Sequence, residues 1–315
     1  MTNKSQLPLL EDFLLHIQTN NYSKETLYNY ERDLQTFENF LNEEMEALPF
    51  SEVSKRTMEQ FKAYLTSKDR KSASGIKTTK TLSSGSINRV LSSVRRYLGY
   101  LIDMDHKVPI PPESIKLLRM EKKHPQVAEL EQLIKLIEYP TEFEKNKLIN
   151  LRNRAMLETL FATGMRISEL TSLKRNQIDK TGRIFITGKG KKQRFAYLTD
   201  RAQEQIQNYL KERMDDFPAL FIPYRGKNNT ANDKTISTNY LQMKIKKYRE
   251  MLGINVPTSA HSLRHGFATY LAESGANPAA IQILLGHESL DTTTRYVHAS
   301  DKYAEKTHKK FHPLK

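Results

Sequence analysis

A proline-rich segment about one third of the way along the chain does most to constrain the fold. Val108-Pro-Ile-Pro-Pro112 holds three prolines in five residues. Proline lacks the amide donor of a helix and pushes the residue before it towards an extended path, so no helix runs through this segment. The 315 residues are enough for two domains, each with its own core. We therefore predict one domain at residues 1–112, a linker at 113–125 and a second domain at 126–315.

The first domain shows the periodicity of amphipathic helices. Apolar residues recur three and four positions apart in two long runs, which are Leu27, Tyr30, Leu34, Phe37, Leu41 and Ile87, Leu91, Val94, Leu98, Leu101. Ser23 precedes the first run and is the expected N-cap. Shorter apolar patterns cover residues 6–18 and 57–65. The sequence therefore predicts a small bundle of four helices.

The stretch from Ser67 to Ser86 interrupts this pattern. It is rich in Lys, Ser, Thr and Gly, a composition typical of a long mobile loop. Our hypothesis is that this loop becomes ordered on DNA.

Positive charge is concentrated in the second domain. Residues 1–112 hold 15 Lys or Arg against 14 Asp or Glu, whereas residues 113–315 hold 35 against 22, and the formal net charge is +14. Such an excess implies an anionic partner, and nucleic acid is the leading candidate. A generic basic surface explains the net charge equally well. The chain has no cysteine, which excludes disulfides and thiolate metal sites.

The second domain is predicted to be mostly helical with one β-hairpin. Residues 182–187 alternate like a strand, and residues 193–198 are the expected partner. Between them, Gly188-Lys-Gly-Lys-Lys192 is a glycine-containing turn with three positive charges. Gly275 and Gly286 are expected helix C-caps. The predicted helices cover roughly 201–214, 237–252, 260–274 and 278–285.

Ala162-Thr-Gly-Met-Arg-Ile-Ser-Glu-Leu170 is the first candidate for chemistry. We expect Gly164 to end one helix and Arg166 to open the next, which adds a guanidinium to backbone amides suited to phosphate. Glu169 lies three residues further on the same helical face, where it would hold Arg166 in place. Taken alone, the pattern fits a surface arginine paired with Glu169 better.

Ala260-His-Ser-Leu-Arg-His-Gly266 is the second candidate. His261 and Arg264 are three residues apart and share a helix face, so together they would form a phosphate clamp with a proton-transfer group. This spacing is common, and the motif is weak evidence by itself. We interpret His265 as a packing or surface residue.

Two further segments complete the set. His287 follows the expected helix stop at Gly286, and Tyr296 follows nine residues later. A tyrosine here is by default an ordinary core or interface aromatic. Lys189 lies in the hairpin turn, where a lysine is usually solvated, but one held over a scissile phosphate can protonate a leaving oxygen.

Taken in order, Arg166, Lys189, His261, Arg264, His287 and Tyr296 resemble the catalytic signature of the tyrosine recombinase (phage integrase) family. The local contexts match as well, since Gly-Lys-Gly-Lys-Lys-Gln-Arg resembles its lysine hairpin and Leu-Leu-Gly-His its nucleophile box. The pattern Ser-x-x-Thr-Leu-x-x-Tyr-x-x-Asp-Leu at residues 23–34 resembles the core-binding domain of the Xer branch. The long loop at 67–86 departs from a plain Xer protein.

The resemblance implies a mainly α protein. Residues 1–112 would form a four-helix, SAM-like core-binding domain. Residues 126–315 would form a mixed α/β catalytic domain, mostly helical, with a small β-hairpin sheet and a C-terminal exchange segment. The resemblance also implies chromosome or plasmid dimer resolution at cell division by a cytoplasmic, nucleoid-associated protein of a bacterium or archaeon.

The resemblance also assigns roles to the residues. Tyr296 would form a 3′-phosphotyrosyl bond to DNA, while Arg166, Arg264 and His287 bind the phosphate. His261 would accept the tyrosine proton, and Lys189 would protonate the 5′-oxygen. Glu169 would orient Arg166. We expect no cofactor and no metal ion, because the arginines supply the positive charge.

The expected partner is double-stranded DNA at a specific recombination site, bound by a homo- or hetero-tetramer. A second recombinase and a DNA translocase are further candidates, and no membrane is expected. Two other interpretations stay open, which are a type IB-like topoisomerase and a DNA-binding protein with a degenerate site. A mobile-element integrase is the alternative to the Xer role.

Overall fold

The chain divides into two compact units, Met1–Lys123 and His124–Lys315, in a computed structural model. The structure describes residues 6–76, 81–120, 126–187, 193–226 and 234–286. None of the helices in these ranges has the length and hydropathy that a membrane span requires.

The first unit contains the four predicted α-helices. Their bounds are α1 Leu10–Thr19, α2 Lys24–Glu43, α3 Lys55–Thr66 and α4 Ser84–Asp103. The Ser23 hydroxyl accepts a hydrogen bond from the Thr26 amide at 3.2 Å, which confirms the expected cap of α2. Ser54 and Ser83 cap α3 and α4 in the same way. A serine in this position satisfies one of the amides that a helix start leaves without a partner.

The two predicted apolar stripes face each other in the core of this unit. Leu34, Leu41, Leu91, Val94 and Leu101 are all 0% exposed. The carboxylate of Asp33 on α2 is also buried there, and it accepts hydrogen bonds from Arg89 at 2.6 Å and Ser93 at 2.9 Å, both on α4. Burial raises the pKa of Asp33 against the lowering effect of Arg89. The Asp in the recombinase-like motif at 23–34 therefore ties α2 to α4.

Part of the segment predicted as a loop is helical or anchored. Residues 84–86 form the first turn of α4, because the Ser83 hydroxyl caps it, so the loop prediction was wrong there. Lys71 pairs with Glu43 at 2.6 Å, and the Ala73 carbonyl accepts from the Asn39 side chain at 3.1 Å. Residues 77–80 lie outside the described residues.

Residues 113–118, which the sequence analysis assigns to a linker, pack on the first unit. Ile115 is 1% exposed within its core. The Asn88 side chain donates to the Leu118 carbonyl at 2.9 Å and accepts from the Leu118 amide at 2.7 Å. A 3-10 turn at Pro112–Ser114 follows the prolines, and the chain packs against α4 there before it reaches the second unit.

The second unit is helical with one two-stranded sheet in its described part. The helices are α5 Leu130–Glu138, α6 Pro140–Phe143, α7 Lys147–Thr163, α8 Ile167–Thr171, α9 Asp200–Glu212, α10 Thr238–Met251, α11 Ala260–Glu273 and α12 Pro278–Leu285. The four helices expected after the hairpin are confirmed to within two residues. Sequence periodicity did not predict α5 and α6.

Helix α7 is the centre of this unit and packs against α6, α9 and α11. Residues 152–160 are all buried, and they include polar groups. Arg152 is 2% exposed, donates to the Ile222 carbonyl at 2.8 Å and lies with its guanidinium 4.8 Å from the centre of the Tyr240 ring. The interior tolerates this buried charge because the guanidinium nitrogens have hydrogen-bond acceptors and the guanidinium face contacts an aromatic ring.

Strands β1 Arg183–Thr187 and β2 Gln193–Tyr197 form an antiparallel pair, which confirms the predicted hairpin. The register pairs Thr187 with Gln193 and Ile186 with Arg194. Ile184 and Ile186 are buried, whereas Phe185 is 40% exposed, as the two-residue period of a strand requires. The turn that carries Lys189 lies outside the described residues.

Candidate functional site

The turn between α7 and α8 presents Arg166. Gly164 ends α7 with φ of 60°, and Arg166 is the N-cap of α8, as the sequence predicts. A Cβ on Gly164 would lie 2.3 Å from a ring carbon of Phe267, so both the backbone angle and the space require glycine. The Arg166 side chain is 39% exposed, which leaves its guanidinium accessible at the end of a buried turn.

Glu169 holds this arginine, which confirms the expected pair. Its carboxylate accepts from the Arg166 amide at 2.8 Å and from the Arg166 guanidinium at 3.0 Å. The Glu169 side chain is 6% exposed. Burial by itself would raise the pKa of Glu169, but hydrogen bonds from Arg194 and Arg166 outweigh it and lower the pKa to about 2. The carboxylate is therefore charged throughout the physiological range.

Arg194 is a member of this cluster that the sequence analysis missed. Its guanidinium makes two parallel hydrogen bonds to the Glu169 carboxylate, at 2.9 and 2.7 Å, and its Nε donates to the Leu284 carbonyl at 3.0 Å. The side chain is 7% exposed. The strand period was a usable signal, because Arg194 has the parity of buried Ala196 and an inward-facing arginine needs a carboxylate partner.

Arg264 is buried where three helices end or pass. It is 3% exposed and lies on α11. Its Nη1 donates to the Gly164 carbonyl at 2.7 Å and its Nη2 to the Leu285 carbonyl at 2.6 Å. One guanidinium thus joins the Arg166 turn to the last turn of α12, whose carbonyls otherwise have no partner within the helix.

His261 lies on the exposed side of α11, three residues before Arg264. Its Nε2 and that of His265 are 2.8 Å apart in a hydrogen bond between the two imidazoles, a contact that the sequence analysis did not predict. Partial desolvation of the imidazole lowers the pKa of His261, although the residue surface is exposed, and the positive charges of Arg264 and Arg166 lower it further. His261 is therefore a neutral imidazole at pH 7, able to accept a proton.

The structure brings together Arg166, Glu169, His261 and Arg264 of the predicted site. Lys189, His287 and Tyr296 lie outside the described residues.

The described chain stops at Gly286, which ends α12 with φ of 64°, directly before His287 in the sequence. Two guanidiniums bind the carbonyls of Leu284 and Leu285 there, where the helix dipole favours positive charge.

This arrangement suits a bound phosphate. An accessible guanidinium at a helix start and a neutral imidazole beside it combine charge, directional donors and a proton acceptor. The buried carboxylate of Glu169 fixes the orientation of Arg166 by two hydrogen bonds. The residues can therefore bind a phosphodiester and accept a proton during attack on it.

Two family matches cover most of the chain. Residues 126–303 match the Phage integrase family, and residues 10–104 match the N-terminal SAM-like domain of phage integrases. These matches confirm the expected fold class of both regions.

The curated relatives match over nearly their full length. A tyrosine recombinase XerC of Pelobacter propionicus is 34% identical over 97% of this chain and 96% of the relative. A tyrosine recombinase XerD of Staphylococcus epidermidis is 29% identical over 97% of this chain and 98% of the relative.

Two solved structures share the fold. The XerH site-specific recombinase bound to palindromic difH substrate in a post-cleavage complex matches with a TM-score of 0.70, 21% identity and coverage of 95% of this chain and 82% of that one. The Tn1549 transposon integrase in complex with transposon right end DNA gives a TM-score of 0.71 and 18% identity, with 98% and 99% covered.

Proposed function

The chain belongs to the phage integrase family of tyrosine recombinases, and from this premise we propose that it cuts one DNA strand with Tyr296 and rejoins it to a new partner. Membership makes it a site-specific DNA recombinase of the Xer type. The proposal concerns the covalent mechanism, the residues that perform it and the cellular role.

The observation that carries the mechanism is the position of Arg264. Its two hydrogen bonds join the carbonyl of Gly164, two residues before Arg166, to the carbonyl of Leu285, two residues before His287. Two described segments that are far apart in the sequence, the turn at Gly164 and the end of α12 at Leu285, thereby contact the same side chain, which supports the proposal. Tyr296 follows nine residues after His287 in the same stretch of chain.

In the first step, the Tyr296 oxygen attacks the scissile phosphorus. A phenol has a pKa near ~10 and needs a proton acceptor at neutral pH, and the neutral His261 imidazole takes that proton. The new bond joins tyrosine oxygen to phosphorus, the bond to the 5′-oxygen breaks, and Lys189 gives its proton to that oxygen. The products are a 3′-phosphotyrosyl link and a free 5′-hydroxyl.

Charge that builds on the two non-bridging oxygens is stabilised by the arginines. Arg166 and Arg264 are permanently charged and offer directional donors, and His287 donates to the same phosphate. One preorganised donor of this kind is typically worth about 10²–10³ in rate. Glu169 keeps Arg166 oriented through its amide and guanidinium bonds.

Rejoining reverses the chemistry with a different strand. The 5′-hydroxyl of the partner strand attacks the phosphotyrosyl phosphorus, the tyrosine oxygen leaves and recovers its proton, and a phosphodiester forms. The covalent link conserves the bond energy, so the exchange consumes no ATP.

The partner is double-stranded DNA at a specific site, and four protomers assemble on two duplexes. The basic charge of residues 113–315 supports phosphate binding with a steep salt dependence. We propose the residues after Val297, which lie outside the described residues, as the segment exchanged between protomers in a ring-closing head-to-tail contact. A second recombinase and a DNA translocase are further candidate partners of the assembly.

Resolution of chromosome or plasmid dimers at cell division is the role that we propose. Curated relatives named XerC and XerD match over 96–98% of their length, which supports a role of this type, and such a role would place the protein in the cytoplasm on the nucleoid. To test it, the purified protein is mixed with sheared genomic DNA of its host, and protein-linked fragments are trapped under denaturing conditions and sequenced. A single chromosomal site supports the role, whereas fragments only from the end of an integrated element would make the protein a mobile-element integrase.

A further inference from the structure

We propose that Arg194 is a positioning residue that couples three parts of the catalytic site, namely the Arg166 turn, the lysine hairpin and the end of α12. The inference deepens the proposed function and rests on it. Arg194 itself is 7% exposed and acts through the groups that it holds rather than on DNA.

Each of the three nitrogens of the guanidinium has its own acceptor. Nη1 and Nη2 bind the two carboxylate oxygens of Glu169 at 2.9 and 2.7 Å, and Nε binds the Leu284 carbonyl at 3.0 Å. The same Glu169 oxygens accept from Arg166. Arg194 therefore determines where the carboxylate lies, and the carboxylate determines where Arg166 points.

The side-chain stem of Arg194 lies beside Gly286 at the end of α12 and leaves no room for a side chain there. A Cβ on Gly286 would lie 2.8 Å from Cδ of Arg194 and 3.3 Å from its Nε. Gly286 also has φ of 64°. The backbone at Gly286, which precedes His287 in the sequence, therefore lies close to the stem of Arg194.

The backbone of Arg194 belongs to strand β2, next to Gln193, which pairs with Thr187 across the sheet. Residues 188–192, including Lys189, connect these two paired residues. The hydrogen bonds of Arg194 to Glu169 thus fix the base of the lysine hairpin relative to the Arg166 turn.

Lysine cannot replace this arginine. An ammonium group is a single donor atom, whereas the planar guanidinium matches a carboxylate with two parallel bonds and keeps its Nε for a third acceptor. Substitution by lysine therefore keeps the charge and loses the geometry, which separates positioning from simple electrostatics.

The chain offers a matched control in Arg213. This buried guanidinium pairs with the Asp215 carboxylate and donates to the carbonyls of Ala219 and Leu220, both at 2.8 Å. It makes the same types of bond as Arg194, but its partners lie just after α9 and not in the catalytic cluster. Arg213→Gln measures how much stability is lost when such a set of bonds is removed outside the catalytic cluster.

The experiment compares wild type, Arg194→Lys, Arg194→Gln and Arg213→Gln by two measurements. Amide hydrogen exchange of the DNA-free proteins follows residues 167–171 and 281–286. Single-turnover formation of the covalent adduct uses a nicked duplex of the genomic site recovered as above. Both Arg194 variants should exchange faster in the two segments and form adduct about a hundredfold more slowly, because small misplacements of reacting groups cost that much, with DNA affinity little changed. Arg213→Gln should leave hydrogen exchange in these two segments and the rate of adduct formation close to those of wild type.

Equal exchange protection in wild type and the Arg194 variants would overturn the coupling. So would an adduct rate for Arg194→Lys equal to that of Arg213→Gln. If Arg194→Gln does not fold, Arg194→Lys decides the comparison. If the wild-type chain itself forms no adduct, the proposed function fails, and the exchange data still decide whether Arg194 joins the two segments.

Discussion

Arg264 donates a 2.7 Å hydrogen bond to the carbonyl of Gly164, a residue one hundred positions earlier in the chain. The bond connects α11 to the turn that presents Arg166, and the second bond of the same guanidinium reaches Leu285 at 2.6 Å. A residue that the family signature assigns to phosphate binding is therefore also what holds the surrounding backbone together.

Arg264→Lys should damage both roles. A lysine cannot reach two carbonyls in different directions, and each buried carbonyl left without a donor costs about 1–3 kcal/mol. We expect a lower urea midpoint for the second unit and an adduct rate reduced by about 10²–10³. Arg183→Gln is the control for loss of an arginine, because the Arg183 side chain is 50% exposed and its partner Asp179 is 40% exposed. An unchanged midpoint in Arg264→Lys would contradict the structural role.

Gly164→Ala should destabilise the second unit more than Gly253→Ala does. Both glycines have positive φ, 60° and 64°. That conformation costs a residue with a Cβ about 1–2 kcal/mol. Only at Gly164 would the new methyl also meet Phe267, at 2.3 Å, since nothing lies within 4 Å at Gly253. Thermal unfolding of both variants measures the difference, and equal losses would show that the contact with Phe267 has no cost.

Ionisation of Glu169 should make the free energy of unfolding of the second unit vary with pH in the acid range. Its pKa is about 2 in the folded chain against an ordinary value of 4.5. The stabilisation is fully present above pH 4.5, and it is lost as the pH falls from there through about 2, because the unfolded chain takes up the proton first. Glu169→Gln should therefore be less stable than wild type at neutral pH and lose less on acidification. Parallel unfolding curves against pH for the two proteins would refute this.

His261 should set the acid limb of the cleavage rate. Partial desolvation and the charges of Arg264 and Arg166 lower its pKa from the ordinary value of 6.5, and its ring also contacts His265. The neutral form that accepts the Tyr296 proton therefore persists below pH 6.5, and the rate should fall only at lower pH. Single-turnover rates measured against pH test this, with His261→Gln as the control that lacks the limb. A midpoint above 6.5 would contradict the assignment.

Local patterns in the sequence predicted most of the elements. The apolar stripes of α2 and α4, the hairpin and the glycine stop at Gly164 follow from periodicity and backbone angles, which neighbouring residues determine. The pairing of Arg166 with Glu169 was accessible for the same reason, since the two are three residues apart on one helix.

Contacts between distant segments were not accessible in this way. Arg194 binds Glu169, which is 25 residues away in the sequence, and Leu284, which is 90 residues away. A local sequence pattern spans too few residues to predict either contact. Asp33 likewise finds Arg89 only in the folded first unit. Buried polar groups need partners, but the sequence alone does not say which ones, because many carboxylates and carbonyls compete for each arginine.

The most direct test of the central claim is Tyr296→Phe assayed on the recovered site for binding and for covalent adduct in the same reaction. The substitution removes one oxygen, the nucleophile, and leaves the arginines in place. We predict near-normal affinity for the duplex and no protein-linked DNA after denaturation, while wild type gives a protein-linked 3′ end. Adduct formation by Tyr296→Phe at the wild-type rate would show that another residue attacks the phosphate.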